Sequence, residues 1–196
     1  AADGSLTRRI APALLPGARI TDIEVDAEGG LWLALDGGVA RVEPDNTLTR
    51  FDRNLGATQV ERIRRIDGVL YLATRQGLRK LVPGAAPGLP ARFVDTVIRR
   101  DSSWDLLATP HGTLAGTGSG LKLLPPGAEG SPLDLIVGRR VSSLTQGDDG
   151  WIYAIAGREV RRLRWDGRAF AVDPQAVTLV PMFDGRWHAG ALWVSL

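Results

Sequence analysis

The sequence predicts an all-β protein: a β-propeller or propeller fragment, with about four complete four-stranded blades and a partial blade at each end. Three observations predict it. Short apolar segments recur about every 40 residues. Turns rich in Gly and Pro keep one phase within every unit. A second apolar segment, opened by Gly in three of four units, follows each of the first at a fixed distance. A period near 40 with several short strands per unit is the signature of radial repetition rather than of a sandwich.

The leading segments are Leu31–Leu35, Leu70–Thr74, Leu114–Thr117, Ile152–Ile155 and Leu192–Leu196, with first residues 39, 44, 38 and 40 positions apart. The second strands begin at Gly38, Gly77, Gly120 and Glu159. Turns at Pro44-Asp45-Asn46, Pro83-Gly84, Pro126-Gly127 and Trp165-Asp166-Gly167 then reverse the chain. A third strand follows, as at Leu48–Phe51. Before each leader lies an innermost strand, marked by Ile20 and Ile23, Val60 and Ile63, Leu106, and Val141 and Leu144. Glu28-Gly29, Asp67-Gly68, His111-Gly112 and Asp149-Gly150 join it to the leader, because Gly accepts positive φ at little cost. Several strands are apolar on both faces, as blades sandwiched between neighbours must be.

One domain over 1–196 is expected, with repeats at about 20–59, 60–102, 103–140 and 141–176 and partial units at 1–19 and 177–196. Ser5-Leu6-Thr7-Arg8 copies Thr47-Leu48-Thr49-Arg50, so the chain is expected to open on an outer strand and to stop inside a fifth unit. It then reads as a piece of a longer protein. Its free strand edges would pair with a second copy, or Leu6–Ile10 would pair near Leu192–Leu196.

Composition narrows the function. The 196 residues include no Cys, which removes thiol nucleophiles, zinc–thiolate sites and iron–sulfur clusters. The net charge of +2 is too small for a nucleic-acid surface, so no nucleic-acid partner is expected. Twenty-two of the 24 basic residues are Arg, whose planar fork suits carboxylates and sulfates. No apolar run approaches the ~20 residues of a membrane-spanning helix.

Asp26-Ala27-Glu28-Gly29-Gly30-Leu31-Trp32-Leu33-Ala34 with Gly38-Val39, and Asp67-Gly68-Val69-Leu70-Tyr71-Leu72-Ala73-Thr74 with Gly77-Leu78, together resemble the two-component regulator propeller repeat. The resemblance runs from about Leu6 to Leu196. The third unit departs from it, with Ala115 in the aromatic position, and the fourth lacks the Gly before Val160. This resemblance implies a periplasmic or extracellular sensor propeller of a bacterial hybrid histidine kinase or diguanylate cyclase. A membrane enters only through downstream segments that are not in this sequence.

Candidate chemistry is sparse. His111 occupies a hairpin turn and His188 an irregular segment, 77 residues apart, so no histidine metal pair is expected. Asp148-Asp149-Gly150 lacks the alternating oxygens of a calcium loop. Gly116-Thr117-Gly118-Ser119-Gly120 lacks the Lys of a phosphate loop and reads as a flexible connection. Trp32, Tyr71, Tyr153 and Trp193 share a repeat position and read as wedges between blades. The pairs Arg64-Arg65, Arg99-Arg100, Arg139-Arg140 and Arg161-Arg162 recur near strand ends and read as solvated edges.

The remaining candidates follow from topology. The connections from outer to inner strand and from second to third strand share one face of a propeller. They carry Asp36, Arg75, Arg140 and Arg158 as candidate ligand-binding residues, with Arg19, Glu61 and Ser142 beside them. No cofactor or metal is expected. The partner is a small molecule or glycan, and Arg75, Arg140 and Arg158 suit an anionic one, such as an acidic sugar. A non-enzymatic sensing module is the leading function. A protein-interaction scaffold comes second, and a propeller lyase or hydrolase third.

Overall fold

The computed structural model describes residues 10–45, 47–125 and 130–195. Among these, nineteen strands and two single 3-10 turns account for the regular structure, and no α-helix is present. Four antiparallel sheets follow in chain order. The first is β1 (Ile20–Val25), β2 (Leu31–Leu35), β3 (Gly38–Val42) and β4 (Leu48–Phe51). The second is β5 (Val60–Ile66), β6 (Val69–Thr74), β7 (Gly77–Val82) and β8 (Arg92–Arg99). The third is β9 (Ser103–Thr109), β10 (Gly112–Thr117), β11 (Gly120–Leu124) and β12 (Leu133–Val137). The fourth is β13 (Val141–Gln146), β14 (Ile152–Ala156), β15 (Glu159–Trp165) and β16 (Phe170–Val172), with β17 (Val177–Thr178) also paired to β15. A hairpin of β18 (Asp184–His188) and β19 (Ala191–Ser195) begins a fifth unit. Within each sheet the strands run as a meander, and the inner strands β1, β5, β9, β13 and β18 lie side by side around a central axis.

The sheets stack face to face. Trp32, Val39 and Phe51 of the first meet Ile63, Leu70, Leu72 and Phe93 of the second. Tyr71, Leu78 and Ile98 of the second meet Leu106, Ala115 and Leu124 of the third. Leu114, Leu121 and Ile136 of the third meet Leu144, Ile152, Ala154 and Leu163 of the fourth. Ile155, Val160 and Met182 hold the last hairpin, with Leu192 and Val194 against them. Burying each large aliphatic side chain is worth about 1.5–3 kcal/mol, so these inter-sheet layers dominate stability. On the outward face of the first sheet Leu33, Leu35, Ala40 and Val42 are buried with Ile10 and Leu15 against them, whereas Ile23 and Val25 of β1 and Trp193 of β19 are exposed at 51%, 64% and 65%.

Register corrects the phase of the third unit. Thr113 pairs with Leu124 as Leu31 pairs with Val42 and Ile152 with Leu163. Thr113 therefore leads that unit, and Leu114 rather than Ala115 stands where Trp32 and Tyr71 stand. The wedge reading holds for Trp32 and Tyr71, both buried, and for Tyr153, whose ring stacks on Trp187 at 5.1 Å. Trp193 is 65% exposed, and its Nε1 donates to the His188 carbonyl at 3.3 Å. Arg64-Arg65 lie near the end of β5, and Arg161-Arg162 lie in the middle of β15. The Gly116–Gly120 connection is a fixed turn: the buried Thr117 hydroxyl donates to the Gly120 carbonyl at 3.0 Å and accepts from its amide at 3.1 Å.

The glycines that open the second-to-third hairpin arms explain why the fourth sheet is irregular. A Cβ on Gly38, Gly77 or Gly120 would meet the carbonyl oxygen of Phe51, Ile98 or Ile136 on the outer strand, at 2.3, 2.4 and 1.8 Å. Glu159 takes that place in the fourth unit. There the outer strand β16 pairs only with Leu163–Trp165, and the separate strand β17 pairs with Glu159 and Val160. The expected outer strand at residues 5–8 and the turn at residues 126 and 127 lie outside the described residues, as does most of the Leu6–Ile10 segment.

Candidate functional site

The site grows out of an irregularity repeated in each inner strand. Against the next strand, register shifts between Ile20 and Asp22, Val60 and Arg62, Ser103 and Asp105, and Val141 and Ser143. One residue is thus extruded per strand: Thr21, Glu61, Trp104 and Ser142. In the last hairpin Phe183 precedes β18 in the same relation, its amide bonded to the Ser195 carbonyl at 3.1 Å. Such a bulge kinks the strand and re-aims its side chains.

The residues just after the bulge form a ring around the axis: Asp22, Arg62, Asp105, Ser143 and Asp184. Three of them tie their strand to the next. Asp22 accepts from the Ile63 amide at 3.0 Å, Asp105 from the Leu144 amide at 2.9 Å, and the Ser143 hydroxyl from the Gly185 amide at 3.2 Å. Arg62 has no acceptor to offer and instead reaches Asp184 at 3.2 Å. Ser143 also donates to Asp184 at 2.6 Å. Arg64 pairs with Asp22 at 2.5 Å, and Arg186 with Asp184 at 3.6 Å. Three carboxylates and three guanidiniums thus balance one another on the axis.

Burial pushes the Asp105 carboxyl above the usual range, against the opposing pull of the Leu144 amide, Arg62 and Arg64. Burial also pushes Asp184 up, but the Ser143 hydroxyl, Arg186, Arg62 and the Gly185 amide together hold it below the usual range.

The bulged residues line the mouth above this ring. A cavity of about 290 Å³ is bounded by Glu61, Arg62, Trp104, Arg140, Ser142, Phe183 and Asp184. The Arg140 guanidinium carbon lies 5.0 Å over the Trp104 ring and that of Arg75 lies 6.0 Å from it. A neighbouring hollow of about 250 Å³ is lined by Arg19, Asp36, Gln59, Val60, Glu61 and Arg75. Glu61 borders both and is held by Arg75 at 2.7 Å.

The structure therefore gathers Arg75 and Asp36 at one hollow and Arg140, Glu61 and Ser142 at the other, on one face. Arg158 lines neither; its carbonyl receives the Leu179 amide at 2.9 Å. The Asp36 side chain is engaged locally, accepting from the Ala18 amide at 3.1 Å. Sequence reasoning missed Arg62, Trp104, Phe183 and Asp184. Neither histidine reaches the mouth: His111 stacks on Trp165 at 3.8 Å, and His188 ends β18. Among the described residues no group of His, Asp and Glu could hold a metal ion.

No family model matches the chain, and no curated protein is similar to it in sequence. Solved structures are similar in fold. The extracellular domain of a hybrid two-component system from B. thetaiotaomicron superposes with a TM-score of 0.70 at 16% identity, covering 89% of this chain and 26% of that one. Virginiamycin B lyase from Staphylococcus aureus, solved with quinupristin, gives 0.64 at 11% identity, covering 89% and 62%. PorZ, a surface component of the type-IX secretion system of Porphyromonas gingivalis, gives 0.62 at 14% identity, covering 93% and 26%. The chain thus spans about a quarter of the length of the two-component domain and under two thirds of that of the lyase.

Proposed function

We propose that the protein is a non-enzymatic, extracytoplasmic sensor module that reads a small molecule or glycan at the mouth of its axis. The observation that carries this reading is the cavity itself. It is concave, it combines Trp104 and Phe183 with a few convergent polar groups, and it sits on bulged residues freed from the sheet ladder, as ligand sites do. The fold similarity to extracellular domains of two-component systems supports the compartment and the signalling role. An output domain elsewhere in the same or a partner protein would convert occupancy into a signal.

The lyase similarity supplies a second reading. It is the weaker one, because the mouth holds no histidine and its two carboxylates, Glu61 and Asp184, are both paired with arginine. A thermal-shift screen of sugars, uronic acids and small organic acids on the intact chain tests the proposal. Saturable stabilisation by an unmodified compound supports a sensor. Chemical conversion of a bound compound, seen by mass spectrometry, would replace it with an enzyme.

A further inference from the structure

The polar inventory of the mouth points to one chemistry. Its acceptors are engaged. Glu61 is held by Arg75, and Asp184 receives Ser143, Arg62 and Arg186. Its donors other than Arg62 are not. Trp104 Nε1 and Ser142 Oγ are buried and without a hydrogen-bond partner among the described residues. Arg140 makes no ion pair among the described residues and rests only on the Trp104 ring.

The repeat supplies an internal control. Thr21 holds the same bulge position as Ser142, and its hydroxyl donates across the sheets to the Val60 carbonyl at 2.7 Å. Ser142, 8% exposed, has no such tie. Leaving a buried polar atom unmade costs free energy that a ligand can recover.

Taking the sensor reading as its premise, we infer that the mouth binds a small organic carboxylate through Arg140, Ser142 and Trp104. One uncompensated guanidinium calls for one negative charge. The fork of Arg140 matches the two oxygens of a carboxylate, and the indole N–H and the hydroxyl supply further donors to the same acceptor group. A doubly charged phosphate would lie close to Asp184 and Glu61 and be repelled. Phe183, 61% exposed, and the Trp104 ring offer an apolar flank to a ring carried by the carboxylate. The cavity volume, at the small end of ligand pockets, limits the ligand to about one or two rings.

The test uses calorimetry and thermal shift on the intact chain, with glucuronate and benzoate as probes and glucose, benzamide and glucose 6-phosphate as controls. At least one carboxylate is expected to bind at millimolar concentration or better, with both neutral controls and the phosphate at least tenfold weaker. Arg140→Ala should abolish that binding, and Trp104→Phe and Ser142→Ala should each weaken it roughly fivefold to tenfold, about one hydrogen bond apiece. Arg158→Ala should leave it unchanged. Denaturation curves identify any variant that fails to fold, and Arg140→Gln, which keeps the length of the chain but not the charge, should bind as poorly as Arg140→Ala. Binding of glucose as tight as that of glucuronate would overturn the carboxylate inference while leaving the sensor reading intact. Carboxylate binding indifferent to Arg140 and Ser142 would overturn the placement. Failure of both carboxylates would overturn the inference outright, and failure of every compound in the wider screen would overturn the sensor reading as well.

Discussion

Two neighbouring positions have opposite fates in every unit but the first. At the ring position, Asp22, Asp105 and Ser143 bond to the next strand, and Arg62 and Asp184 pair across the axis. One residue earlier, the bulge position holds Thr21, Glu61, Trp104, Ser142 and Phe183, which differ in size and charge. Among the described residues only Thr21 is tied to the next inner strand by a side-chain hydrogen bond. A single extruded residue therefore separates the polar groups that hold the blades together from those that face the mouth. Under the proposed sensor function, stability and recognition would vary independently although they are one peptide bond apart.

The largest effect should come from removing the most buried tie. Asp105 accepts from the Leu144 and Leu106 amides and lies within 4.0 Å of Arg62, Arg64 and Arg186. Asp105→Ala orphans both amides and should cost about 3 kcal/mol in chemical denaturation. A loss below about 1 kcal/mol would mean that the ring is ornamental. Gly77→Ala should come next, at roughly 2 kcal/mol. Its φ of 136° is one that L side chains rarely adopt, and its new Cβ would press on the Ile98 carbonyl.

A third effect is pH dependence. The Asp105 carboxyl is raised in the folded protein, so its contribution to stability is complete below the unfolded carboxylate pKa and is lost as pH rises through the folded value. Asp184 is lowered, so its contribution is present above the unfolded pKa and is lost as pH falls through its folded value. Asp105→Asn keeps an acceptor for the Leu144 amide and cannot ionise. It should therefore gain stability relative to the wild type as pH rises from about 4 toward neutrality. Asp184→Asn should lose relative stability in the acid range, as pH rises through the lowered folded value to about 4, and change little above it. Two parallel profiles would contradict the opposite environments of the two carboxylates.

Much of this was written in the sequence, unevenly. The blades were legible because turn, leader and Gly recur in phase, and the face carrying Arg75, Arg140, Glu61 and Ser142 followed from strand order alone. The phase slip in the third unit was hidden because Leu114 satisfies the apolar pattern as well as Thr113 does, and only pairing decides between them. The bulge did leave a trace. Apolar residues fall three apart at Ile20 and Ile23, Val60 and Ile63, and Val141 and Leu144, a spacing that a regular strand of period two does not produce. Trp104 and Asp105 escaped notice because Ser103 replaces the first apolar residue of that pair. Arg62 and Asp184 met across the axis from units two and five, a contact that no local pattern encodes.

The division between adjacent positions is tested most directly by two single substitutions one residue apart, compared in the same denaturation experiment. Ser143→Ala removes the hydroxyl that serves Asp184 and the Gly185 amide, and should lower stability by about 1–2 kcal/mol. Ser142→Ala removes a buried hydroxyl that has no partner, and should leave stability unchanged within about 0.5 kcal/mol or raise it slightly. Equal losses, or a larger loss at Ser142, would show that both positions hold the blades together and that the mouth has no free polar groups to offer a ligand.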